Sequence, residues 1–169
     1  MTKSLNKHLR KHFDLYIIIF TGISAVLVFL LLNRKLELLI AILGFGISIA
    51  FSLRQSRIEN DRIFKELFIM YNEKYDKKFN NCLNEITEEV SKNSEYELTE
   101  KQIAIVIDYL NLCAEEYLWY TKGRIDKVAW NSWERGMKYY LNISAIKLHI
   151  QNEKKQIDSY YGIFEYLKL

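Results

Sequence analysis

Two long apolar stretches with three residues between them constrain this chain more than any other feature. Leu15 to Leu32 runs 18 residues without a charge, and Leu36 to Leu53 runs 18 with one, Glu37, at its edge. As helix, each is roughly 27 Å long at about 1.5 Å per residue. The hydrocarbon core of a bilayer is roughly 30 Å thick. Only Asn33-Arg34-Lys35 separates them, so two spans there must run antiparallel. The pattern predicts a transmembrane helical hairpin over 15–53, a basic cytoplasmic segment over 1–14 before it, and a cytosolic helical domain over 54–169 after it.

The formal charge of +3 divides unevenly: residues 1–53 carry a net +4 and residues 54–169 a net −1. The basic excess belongs to the membrane end. No basic stripe of the kind a nucleic-acid module shows is present, so nucleic-acid contact is expected only through a partner. Lys3, Lys7, Arg10 and Lys11 precede the first span, and Arg54, Arg57 and Arg62 follow the second, against Arg34 and Lys35 in the turn. Cations concentrate on the cytoplasmic side, which predicts that both termini are cytoplasmic. A cleaved secretory signal is the alternative for the first stretch. Such a signal has a shorter apolar core and a small-residue cleavage site, which Leu30-Leu31-Leu32-Asn33-Arg34-Lys35 lacks. Cys82 and Cys113 fall in the cytosolic part and are expected to be reduced and mostly buried.

The 169 residues include no proline, and three of six glycines, Gly22, Gly44 and Gly46, lie inside the spans. Proline and glycine punctuate sheets and loops. Their scarcity predicts an all-α chain. After Arg54 the helical spacing continues through Ile63, Phe64, Leu67, Phe68, Tyr71, Tyr75, Phe79, Leu83, Ile86 and Val90, so the second span should extend as one long helix to about Ser91, with a bend around 72–78. Thr99-Glu100-Lys101-Gln102 reads as a capping box, opening a helix that stops at Gly123. Its expected apolar face is Ile103, Val106, Ile107, Leu110, Ala114, Tyr117 and Leu118. Asp126 should cap a third helix, with Ala129, Trp133, Met137, Tyr140, Ser144 and Leu148 along one face and Trp130, Leu141 and Ala145 beside it. A fourth helix is expected over 156–169.

Three segments resemble a known group: RIFKELFIMYNEKYD (62–76), DYLNLCAEEYLWYTKGRID (108–126) and VAWNSWERGMKYYL (128–141). With the hairpin before them, they are similar to small bacterial two-span membrane proteins that sit beside phage-defence genes, some of which serve there as effectors. The resemblance spans about residues 36–165. It implies a role in anti-phage defence and carries no catalytic residue set.

The residues point away from catalysis. His8 and His12 are one helical turn apart but lack the intervening Glu of a helical zinc protease, and they fit interfacial anchoring. His149 has Ile146 three residues before it, so the Glu-x-x-His pair of a di-iron bundle is absent. No Gly-x-Ser-x-Gly elbow or phosphate loop occurs. No catalytic residue, metal site or cofactor is therefore expected. Glu115 and Glu116 form the best residual polar cluster. Glu116 is expected to face solvent and Glu115 to pair with Lys122, Arg124 or Arg135, or to join Asn111 in a polar spot inside the bundle. Trp119, Trp130 and Trp133 gather with Tyr117, Tyr120, Tyr139 and Tyr140 in a chain that is 14% aromatic. With no surrounding basic excess, core packing and a protein-binding face fit them better than base stacking. The candidates for binding a cytosolic protein are Trp119, Tyr120, Trp130, Glu115 and Glu116. In the second span Ala41, Gly44, Ser48 and Ser52 share a face of small residues, and Gly22 and Ala25 give the first span a shorter counterpart. Small faces let membrane helices approach closely. This one serves either the hairpin itself or self-association.

The expected protein is thus a non-enzymatic, membrane-perturbing effector that works as a homo-oligomer in the lipid bilayer. The alternative is a membrane-anchored adaptor or inhibitor holding a soluble protein partner. Reporter fusions at the N-terminus and after Leu169 should both read cytoplasmic, and one at Asn33 external; an external reading at either terminus contradicts this topology.

Overall fold

A computed structural model describes residues 13–31, 35–156 and 159–169. The basic segment before Phe13 and most of the interspan turn, Arg34 included, lie outside these residues. The fold is all-helical, 87% helix, with no strand among the described residues. Two compact units divide after Asp61.

The first unit holds α1 (Phe13–Leu31) and the beginning of α2 (Leu36–Lys74). Both are long and apolar enough to cross a membrane. Asp14 near the start of α1 pairs with Arg57 at 2.8 Å, and Thr21 lies against Gly46, where a β-carbon would overlap its side chain. These contacts run antiparallel. Ala25 and Ala50 are the other fully covered positions, 0% and 4% exposed. The small residues that admit the neighbouring helix are therefore Gly46, Ala50 and Ala25. Around them Phe20, Leu31, Phe45 and Phe51 stand outward, each about 70% exposed or more.

The second unit begins within α2. A π-turn (Tyr75–Phe79) and α3 (Asn80–Lys92) continue α2 without a break, giving 57 residues of helix over Leu36–Lys92. The inward stripe Tyr71, Tyr75, Phe79, Leu83 advances four residues at a time. An α-helix turns every 3.6 residues, so such a stripe drifts round the helix. The wider i→i+5 winding of the π-turn absorbs the drift and keeps Phe79 and Leu83 fully buried. This turn overlaps residues 72–78, where a bend is expected.

The central helix is α4 (Glu100–Thr121), packed against α3, the π-turn, α5 (Lys127–Leu141), α6 (Ser144–Glu153), a 3₁₀ turn (Ser159–Gly162) and α7 (Ile163–Leu167). Its start is the expected capping box. The Thr99 hydroxyl accepts from the Gln102 amide at 3.3 Å, and Gln102 Oε1 accepts from the Thr99 amide at 3.0 Å. Gln102 is buried, and Tyr96 donates to the same oxygen at 3.0 Å. Its end is a Schellman motif on Gly123 (φ +68°), with Gly123 N–H donating to Tyr120 O and Arg124 N–H to Trp119 O. Asp126 caps α5 by accepting from Val128 N–H at 2.7 Å.

Three expectations are corrected. The helix expected to run past Ser144 breaks at Asn142–Ile143. Asn142 donates to Lys138 O at 2.7 Å and so ends α5, which turns Ala145, Ile146 and Ile150 inward and leaves Leu148 67% exposed. The expected fourth helix is interrupted by Tyr160, Tyr161 and Gly162, all at positive φ, a backbone region that helix interiors do not use. Ile163, Phe164 and Leu167 are nevertheless buried. Finally, Trp130, expected beside the apolar face and as a partner-binding residue, is wholly inside at 0% exposure, stacked on Tyr120 at 4.6 Å and donating to Tyr166 Oη at 3.1 Å.

Trp130→Ala should destabilise the second unit by about 3–5 kcal/mol, as large aromatic truncations in cores do. Trp133→Ala, at a half-buried position, should destabilise it less. Thermal melts of the full chain in nonionic detergent measure both, and the reverse ranking contradicts the packing described.

Candidate functional site

The strongest candidate site lies in the second unit, where α2, the π-turn, α4 and α5 line a half-open cavity of about 220 Å³. Each helix contributes by its own period. From α2 and the π-turn come Tyr71, Asn72 and Tyr75; from α5 come Ser132, Trp133, Gly136, Met137 and Tyr140; from α4 come Tyr109 and Glu116. Tyr109, Cys113 and Glu116 stand at i, i+4 and i+7, one stripe of α4, and all three are buried.

Glu116 is the chemical centre. It is 7% exposed, and no hydrogen bond holds its carboxyl. Burial, then the charge of Glu115, push its pKa up to about 8, with Lys74 opposing weakly. Burial also pushes Tyr71, Tyr109 and the Cys113 thiol above their ordinary values. That thiol is hydrogen-bonded to Tyr109, and a buried neutral thiol is inert. Beside Tyr109, Tyr75 donates to Tyr140 Oη at 3.1 Å, and Tyr140 donates to Asn84 Oδ1 at 2.9 Å. Trp133 meets Tyr71 edge-on at 5.9 Å and stacks on Phe68 at 5.6 Å. The result is an aromatic chamber with one unpaired carboxyl.

The two glutamates exchange their expected places. Glu116 faces the interior, because it lies on the stripe of Tyr109 and Cys113. Glu115 is half-exposed and pairs with Lys74 at 3.7 Å. Its cation comes from α2 rather than from Lys122, Arg124 or Arg135, and with Asn111 and the Lys78–Asp108 pair (2.6 Å) it lines an outer polar hollow instead of a spot inside the bundle. The aromatic residues do not form one surface. Trp130 is core and Tyr120 is stacked on it, while Trp119 is half-buried with Lys122 Nζ 5.0 Å from its ring centre. Of the expected partner-binding residues, Trp119, Tyr120 and Glu115 thus retain surface, and Trp130 and Glu116 do not. Tyr109 was not anticipated; its i+4 and i+7 relation to Cys113 and Glu116 is the signal that marks it.

Ala41, Gly44, Ser48 and Ser52 are all exposed in the single chain. A β-carbon on Gly44 would meet nothing, and Ser48 is satisfied within its own helix, donating to Gly44 O at 2.8 Å. The reading of this stripe as the internal packing face is corrected, since Gly46 and Ala50 fill that role. His8 and His12 lie outside the described residues. Among the described ones, no three His, Cys, Asp or Glu side chains converge to hold a metal. No family model, curated protein or solved structure matches the chain.

The raised value of Glu116 has a thermodynamic consequence. Between an ordinary Glu value of 4.5 and about 8, the folded chain holds a proton there that the unfolded chain has released. Stability from this group is therefore fully present below the lower value and declines as pH rises to the upper one, by at most about 1.4 kcal/mol per pH unit. Tyr71, Tyr109 and Cys113 remain protonated throughout that window, so they do not obscure it. In thermal melts of the full chain, Glu116→Gln should flatten the decline and raise the melting temperature most at the alkaline end. Parallel pH profiles for the two chains contradict a buried, titrating Glu116.

Proposed function

We propose that this chain is a two-span protein of the bacterial inner membrane with its second unit in the cytoplasm. We further propose that it acts as a non-enzymatic effector of anti-phage defence, perturbing the membrane when copies associate through their spans. Two helices long and apolar enough to cross a bilayer support the location, and the unequal flanking cations support the orientation. The resemblance of residues 36–165 to two-span proteins beside phage-defence genes supports the setting. The observation that carries the mechanism is the uncovered stripe Ala41, Gly44, Ser48, Ser52, since α1 is met by a different face, Gly46 and Ala50. A face of small residues turned to lipid allows a second copy to approach closely. The alternative, an adaptor holding a soluble protein, draws support from the half-buried Trp119 with Lys122 over its ring.

Substitution separates these readings. Leucine at Gly44 meets no neighbour at its β-carbon and keeps the span apolar, so Gly44→Leu and Ser48→Leu should insert and fold normally. Both should lose cross-linked oligomers and lose depolarisation of expressing cells together. Oligomers and depolarisation that persist in both variants would falsify the stripe as an assembly surface. Function that persists without oligomers favours the adaptor.

A further inference from the structure

The cavity beside Glu116 is built like a receptor for a cation. Glu116, a residue more than nine-tenths buried whose carboxyl makes no hydrogen bond, lines its wall, and its oxygens reach the open space of the cavity rather than a protein partner. Buried carboxylates are expensive unless something pairs with them. The neighbouring cation does not fill that role, because Lys74 pairs with Glu115. The remaining wall is largely aromatic: Tyr71, Tyr75, Tyr109, Trp133 and Tyr140. Ring faces attract cations within about 6 Å of their centres, most strongly where water is excluded. No Lys or Arg is among the lining residues, so phosphate and other anions would meet a carboxylate and ring faces with nothing to balance them. A purely apolar guest would leave Glu116 as it is, buried and unpaired. The volume, about 220 Å³, is at or below the lower end for small-molecule pockets and equals roughly seven waters at about 30 Å³ each.

We propose that this cavity binds a small organic ammonium ion, with Glu116 as its counter-ion and the Tyr71, Tyr109 and Trp133 rings as its cage. The ligand is an amine or quaternary ammonium of roughly seven non-hydrogen atoms. This site stands independently of how the spans assemble, because every residue in it belongs to the second unit. Binding would release the proton that the folded chain holds on Glu116 below about pH 8 and give the resulting carboxylate the partner that the chain itself does not supply.

The test uses the full chain in nonionic detergent, with binding read by calorimetry and by tryptophan fluorescence, since Trp133 lines the cavity. The probes are choline, 1,4-diaminobutane, the neutral choline isostere 3,3-dimethylbutan-1-ol, and adenosine monophosphate as an anion. Saturable binding of choline or the diamine is expected, at least about tenfold tighter than the neutral isostere, a difference of about 1.4 kcal/mol. Glu116→Gln should remove that preference while keeping the fold. Gly136→Leu gives a second, independent reading. A β-carbon at Gly136 meets no neighbouring atom and the residue lines the cavity, so the larger side chain should fill the space and abolish binding with Glu116 intact. Equal binding of the neutral isostere, tighter binding of the anion, failure of both ammonium probes to bind, or unchanged binding in Gly136→Leu overturns the proposal.

Discussion

Apolar helix surface that has no protein to cover it governs the organisation of this chain. In the first unit only Ala25, Gly46 and Ala50 are fully buried among the described residues. Phe20, Phe45, Phe51 and their neighbours project outward along both helices. Soluble monomers rarely expose contiguous apolar patches of more than a few hundred Å², and a surface of this kind fits lipid. A lipid setting also explains the internal economy of polar groups. Ser48 satisfies its hydroxyl on the Gly44 carbonyl one turn back, as membrane helices require. Association in lipid relies on close packing rather than on the hydrophobic effect, so a face of Ala, Gly and Ser has a value there that it lacks in water.

The second unit obeys the opposite rule. Its core is organised around α4, which packs against α3, α5, α6 and α7. Lys101, Asp108 and Asn111 form the solvent face of α4, yet two polar residues, Gln102 and Glu116, lie buried. Gln102 resolves this by serving the capping box and Tyr96. Glu116 does not resolve it, and its carboxyl opens onto a cavity instead. The π-turn at Tyr75–Phe79 belongs to the same problem, since it holds Tyr71 and Tyr75 on the wall of that cavity while delivering Phe79 to the core.

Local chemistry was legible in the sequence, and tertiary cover was not. The capping box at Thr99, the Gly123 stop and the Asp126 cap follow from residue type at fixed offsets, and each stands where its spacing put it. The long helix to Lys92 followed from unbroken periodicity. What periodicity cannot give is which faces of a helix are covered when several are apolar. In α4 that ambiguity exchanged Glu115 and Glu116; in α5 it put Trp130 beside the apolar face, when it is wholly inside. In the second span it left open whether Gly44 and Ser48 make the internal contact, and Gly46, two residues on from Gly44, is what Thr21 meets. The tail failed for another reason. Tyr160 and Tyr161 take left-handed backbone, which their type disfavours, and the Tyr160 hydroxyl donates to Glu153 at 2.5 Å, a tertiary bond that no local spacing announces.

Disulfide cross-linking in the native membrane tests most directly whether the two faces of the second span have different partners. Ser48→Cys lies on the uncovered stripe, and Ala50→Cys lies on the face buried against α1. The wild-type chain, with Cys82 half-buried and Cys113 buried, sets the background. Oxidation should link Ser48→Cys chains into dimers well above that background and leave Ala50→Cys at it. Equal cross-linking at both positions, or none at Ser48→Cys, contradicts assembly through the small-residue face.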